Sequence, residues 1–141
     1  MADLTITAAN IVPNTSITGK TPVKVTGEAG ETITAGQSVY LKSSDNKIWK
    51  ADANLSADAA AAVGVSLHGA TAGQPITYQT SGALSFGAIL TAGHWYVVSD
   101  TAGGIMPTAD LSSGDYSTLL GYAYSTSVMI LNPLATGIPL A

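Results

Sequence analysis

Cysteine and arginine are both absent from this chain of 141 residues, and no lysine occurs after residue 50. Without cysteine there is no disulfide framework, thiolate metal site or thiol nucleophile, so stability has to come from packing or assembly. The five lysines are 20, 24, 42, 47 and 50, whereas residues 51–141 carry five Asp and neither Lys nor Arg. Nucleic-acid binding needs clustered Lys and Arg to displace phosphate counterions, and a net charge of −4 points the other way. No nucleic-acid partner is expected. Charged residues make up only 10% of the chain, against roughly 25% in an average soluble domain. With 46% apolar residues, this is the reverse of a disordered composition. Long hydrophobic runs are also missing, because Asp, Lys, Gly or Pro interrupts every stretch before 18 apolar residues accumulate. No membrane partner is expected. Met1-Ala2-Asp3-Leu4 lacks the basic and long apolar segments of a secretory signal, and synthesis and assembly in a cytoplasm are expected.

The chain does contain a self-match. Thr34-Ala35-Gly36 recurs at Thr91-Ala92-Gly93, and the same offset of 57 aligns Ser56 with Ser113, Asp58 with Asp115 and Gly64 with Gly121. Apolar positions align with apolar ones: Ile33 with Leu90, Val39 with Tyr96, Leu41 with Val98, Val63 with Leu120 and Val65 with Tyr122. Packing repeats while polar chemistry drifts, which implies two related units at about 30–66 and 87–123. A third copy of the phrase, Thr71-Ala72-Gly73-Gln74, precedes Pro75-Ile76-Thr77-Tyr78, so each copy reads as a glycine turn that launches a strand.

Alternation and turn residues give the rest of the plan. Leu4-Thr5-Ile6-Thr7 alternates as a half-exposed strand within an extended N-terminal arm, residues 1–22, broken by Pro13, Asn14, Gly19 and Pro22. Residues 38–50 read as a hairpin around Ser43-Ser44-Asp45-Asn46. Asp52–Ala62 is the most helix-prone segment but warrants only a short turn, since its repeat partner contains Gly114 and Tyr116. Strands are expected near Val63–Leu67, Ile76–Gln79, Ala83–Ile89, His94–Ser99, Tyr116–Tyr124 and Ser127–Leu131. The expectation is an all-β chain: a compact β-sandwich or barrel-like domain of about ten short strands over residues 23–131, with two internally similar halves. Residues 132–141 carry Pro133, Gly137 and Pro139 between Leu134, Ile138 and Leu140, which reads as an irregular apolar tail.

Chemical motifs are scarce. His68 and His94 are the only histidines and lack ligand partners at metal spacing, and no Gly-x-Ser-x-Gly turn presents a nucleophile. The Asp residues sit in turns, where their carboxylates commonly cap their own backbone. No calcium loop or phosphate-cradling loop is present, the Gly103-Gly104 pair reading as a hairpin turn. No enzyme activity, cofactor or metal is expected. Tyr122 and Tyr124 share one side of a strand and Trp95 lies opposite Tyr96, a set suited either to core packing or to a sugar-binding platform.

Three stretches carry a family resemblance: Gly30–Leu41, the Ala-rich residues 57–65, and Gly73–Gly82. With Leu90–Gly93, Ser99–Ile105 and Gly121–Ala123, the chain resembles the small capsid decoration proteins of tailed bacteriophages over nearly its whole length. The resemblance implies a β-rich cement protein, often a homotrimer, that sits on the exterior of an icosahedral virion head and bridges subunits of the major capsid protein. It carries no catalytic motif. Under this reading the docking elements are Leu4, Ile6, Ile11 and Val12 of the arm and Leu134, Ile138 and Leu140 of the tail, and a chain lacking residues 2–12 is expected to stay folded. The alternatives are an arm strand paired within its own domain and, for function, a phage tail or fibre component that binds a host-surface glycan.

Overall fold

The computed structural model describes residues 3–139. Its ten strands are β1 (Val12–Pro13), β2 (Val23–Glu28), β3 (Ser38–Leu41), β4 (Ile48–Lys50), β5 (Gly64–Ser66), β6 (Pro75–Ser85), β7 (Trp95–Val98), β8 (Ile105–Pro107), β9 (Tyr116–Ala123) and β10 (Val128–Pro139). They form one antiparallel sheet in the order β4-β3-β5-β6-β10-β9-β7-β8, with β1 and β2 added to β6, curled into a half-barrel. The sheet ends are bridged where the β7–β8 turn meets β3 and the segment after β4: Ser38 N–H donates to Gly103 O, Gly103 N–H to Ala51 O and Ala53 N–H to Ser99 O.

The 57-residue offset reappears in the ladder. β3 pairs with β4 as Val39↔Lys50, Tyr40↔Trp49 and Leu41↔Ile48, and β7 with β8 as Tyr96↔Pro107, Val97↔Met106 and Val98↔Ile105. Likewise Ser38↔Val65 and Val39↔Gly64 correspond to Trp95↔Tyr122 and Tyr96↔Gly121. The turns that open the strands share a mechanism. Gly36, Gly73 and Gly93 all have φ between 84° and 87°, the left-handed region that glycine enters without Cβ strain. In the copies at Thr34 and Thr71 a glutamine closes the turn, its Oε1 accepting from Thr34 N–H at 2.9 Å (Gln37) and from Thr71 N–H at 2.8 Å (Gln74). In the copy at Thr91, where His94 replaces glutamine, the Tyr96 hydroxyl accepts from Thr91 N–H at 2.9 Å.

The expected short turn within 52–62 is the single helical turn α1 (Ala57–Ala60), capped by Ser56 Oγ accepting from Ala59 N–H. Three expectations are corrected. Residues 3–7 form no strand, although Leu4 N–H donates to Ile105 O, because the arm lies across the molecule and enters a 3-10 turn at Ala8–Asn10. The two short strands expected at 76–79 and 83–89 are one strand, β6, which passes through Gly82 at φ 86° instead of breaking there. The tail is not irregular: residues 132–139 continue β10, pairing Leu134↔Leu119, Ala135↔Thr118 and Pro139↔Tyr116. Pro133 falls in the register shift between Leu131 and Leu134, where a missing donor costs no ladder bond.

Equivalent positions of the two repeats use the sheet differently. The front face of the first, Ala29, Ile33, Val39 and Ile48, closes a cluster with Ala70, Ile76 and Tyr78. The corresponding front of the second, Phe86, Leu90, Tyr96 and Ile105, lies in the main core. That core also takes in the back face of the first repeat, with Tyr40 and Val65 buried and Trp49 and Leu67 packed against it. The back of repeat one is therefore laid on the front of repeat two.

Candidate interface surfaces

Several side chains that carry chemistry are occupied by local structure, while Asp110 Oδ2 is buried with no hydrogen-bond partner among the described residues. His68 Nε2 accepts from Thr77 N–H at 3.0 Å, which puts the ring proton on Nδ1, 2.9 Å from Gly69 O. The imidazole thus replaces a backbone acceptor where β5 leaves β6. Asp45 accepts from Lys47 N–H and Trp49 Nε1–H, Asp52 from Asn54 N–H, Asp58 from Ser43 N–H and Oγ–H, and Asp115 from Ser112 N–H. Among the described residues no group of three or more His, Asp or Glu converges to hold a metal ion. Nor is any helix among them long and apolar enough to cross a membrane.

Two buried phenols titrate above their ordinary range. Tyr78 is raised by burial, and Tyr40 by burial and then by the carboxylates of Asp58, Glu31, Asp45 and Asp52. The folded chain therefore keeps these protons to higher pH than the unfolded chain does. Unfolding above the unfolded phenol value near 10 releases protons, so stability is intact below that pH and falls as pH rises beyond it. Urea unfolding between pH 8 and 11 should show this decline, and Tyr40→Phe with Tyr78→Phe should flatten it.

The expected docking residues divide into two groups. Ile11 is only 6% exposed and belongs to the main core, against which Leu4 and Ile6 also pack. Asp3 accepts from Ser99 Oγ–H, tying the arm to the second repeat, while Ile6 and Ile11 lie over Gly36 of the first. These three apolar residues pack against their own domain: alternation marks a half-buried segment without saying whose core buries it. Val12 is exposed on β1, which pairs with β6 of the same chain. Leu134 and Ile138 are 60% and 68% exposed, and Leu140 lies outside the described residues. Beyond Leu131, β10 pairs with β9 on one side and has no strand on the other among the described residues. That leaves an open edge bearing two large apolar side chains. The sequence matches no known family model and no curated protein.

A second surface was legible only as scattered aromatics. The back face of the second repeat carries Trp95, Val97, Met106, Tyr122 and Tyr124, aligned with Ser38, Tyr40, Trp49, Val65 and Leu67 of the first. Val97 and Met106 are buried, but Trp95 is 45% and Tyr124 58% exposed. The Trp95 and Tyr122 rings tilt at 55° with centroids 5.2 Å apart, and Tyr122 packs on the small cluster of Ala83, Val128 and Ile130. Tyr122 also walls a cleft of about 280 Å³ lined by Lys20, Thr21, Ser81 and Asn132. The signal that singles these aromatics out is the repeat alignment itself, which places them where the first repeat is covered.

Proposed function

We propose that this protein is a structural virion component that decorates the outer surface of an icosahedral bacteriophage head and stabilises it by bridging neighbouring major capsid subunits. The observation that carries this reading is the open edge of β10 with Leu134 and Ile138 exposed. A strand edge of this kind adds to a partner sheet through backbone hydrogen bonds while its apolar side chains fill pockets. Three further features support it: the resemblance over most of the chain, the low charge, and polar side chains engaged in holding turns. A ligand that binds only the closed arrangement of neighbouring subunits stabilises that arrangement, by about 2.7 kcal/mol per site at a hundredfold its dissociation constant. Repeated over a symmetric lattice, this needs no catalytic group.

The test is co-sedimentation of the purified chain with expanded heads built from its cognate major capsid protein. Stoichiometric occupancy in many copies per head is expected. The Leu134→Lys/Ile138→Lys variant should keep its stability within about 0.5 kcal/mol, since both positions are exposed. It should also lose most of its head binding, because lysines blunt a strand edge. Undiminished binding by that variant would remove the edge from the mechanism, and absence of the wild-type chain from heads would remove the function.

A further inference from the structure

We infer that the cleft between residues 19–21, β6 and β10 is a binding site for an acidic saccharide, a sugar ring that carries a carboxylate. The inference does not rest on the capsid reading, and its test uses the chain alone. The backbone builds the cleft. A Cβ on Gly82 would stand 2.2 Å from Thr21 O, and Ala83 N–H donates to Lys20 O at 2.9 Å, so the end of the arm is fixed against β6. β10 pairs with Gly82 through Leu131 and then bulges before Leu134, and Asn132, in that bulge, lines the cleft. Tyr122, opposite Ile130 in the ladder, forms the remaining wall and is braced by the Trp95 ring.

The polar groups of this cleft are unspent. Asn14, Gln37, Ser66 and Ser99 are committed to holding turns and the arm. The side chains of Lys20, Thr21, Ser81 and Asn132 and the Tyr122 hydroxyl line a volume of about 280 Å³ and have no hydrogen-bond or ion-pair partner among the described residues. A ligand that satisfies them has hydroxyls in several directions and one apolar face. A pyranose ring has both: its hydroxyls pair with the Asn132 amide and the hydroxyls of Thr21 and Ser81, and its C–H face lies on the electron-rich ring of Tyr122. The volume lies at the small end of ligand pockets, which suits a mono- or disaccharide. No Asp or Glu lines the cleft, so Lys20 brings a cation without a counter-charge and selects a sugar carrying a carboxylate over a neutral one. Apolar ligands find little to cover, since the aliphatic side chains of the lining, Ile130 and Leu131, are themselves buried.

Isothermal titration calorimetry of the full chain tests this with digalacturonate, glucuronate and sialyllactose as acidic probes, against maltose and inorganic phosphate. At least one acidic sugar should bind with a dissociation constant of about 1 mM or tighter, and maltose and phosphate at least about tenfold more weakly. Lys20→Gln should remove the preference for acidic sugars, and Asn132→Ala should weaken every sugar about tenfold, the loss expected for one or two hydrogen bonds. Both positions are exposed, so the urea midpoint should not move. Indole emission should change on saturation in the Trp49→Phe chain and not in Trp95→Phe. Failure of every acidic probe to bind at about 10 mM would overturn the proposal, as would acidic binding that survives both Lys20→Gln and Asn132→Ala unchanged. Phosphate binding as tightly as the sugars would reduce the cleft to a bare anion site, and maltose binding as tightly as the acidic probes would remove Lys20 from recognition. Either result overturns the assignment to an acidic saccharide.

Discussion

Gly64→Ala and Gly121→Ala should each destabilise the protein by about 3 kcal/mol, the upper part of the range for forcing atoms into packed space. A Cβ on Gly64 would lie 2.2 Å from Gln79 O, and one on Gly121 would lie 2.2 Å from Ile130 O. Both obstacles are backbone atoms of the neighbouring strand, so no rotamer change relieves the clash. Neither glycine has positive φ, and close approach of two strands is the only reason for it. Because Gly64 and Gly121 are 57 residues apart and pair with Val39 and Tyr96 respectively, the two costs should be nearly equal. Gly73→Ala and Gly93→Ala are the controls: both have positive φ but nothing within 4 Å of the added methyl, so only the left-handed penalty of about 1–2 kcal/mol applies. Urea unfolding of the four variants measures this. A loss below 1 kcal/mol at one strand glycine and not at the other would show that the repeats are not packed alike.

Removing residues 3–11 should cost about 4–7 kcal/mol, a large part of the 5–15 kcal/mol that holds a domain of this size together. Losing a buried isoleucine side chain such as Ile11 costs about 2–5 kcal/mol, and the half-buried Leu4 and Ile6 add about 1 kcal/mol each. The arm also links the repeats, held at Ser99 and Ile105 of one and lying over Gly36 of the other. At about 4 °C per kcal/mol, the melting temperature should fall by roughly 15–30 °C. Ile11→Ala alone should give about half of that. A truncated chain that melts within a few degrees of the full one would restore the arm to the solvent and to docking.

The sequence carried the repeat, the hairpins and the glycine turns because each is local: a fixed offset, alternation over four residues, a positive-φ glycine after Thr-Ala. What it did not carry depends on partners distant along the chain. Leu4 and Ile6 alternate as an exposed strand would, yet the second half of the alternation is covered by the domain's own core. Pro133 and Gly137 look like the end of order, but a bulge and a φ of 69° absorb them within β10. Aligned apolar residues such as Val39 and Tyr96 mark the same face of each repeat, while only the fold shows that Val39 closes a cluster of its own and Tyr96 the shared core. The open β10 edge was legible as apolar residues near the C-terminal end, and the Trp95 face only as a choice between core and platform.

Calorimetry of expanded heads with and without the bound chain bears most directly on the claim that these side chains serve cohesion between protein surfaces. At saturating occupancy the wild type should raise the temperature of shell disruption, and Leu134→Lys/Ile138→Lys at the same concentration should leave it where it was. A shell transition that does not move when every site is filled would contradict the account.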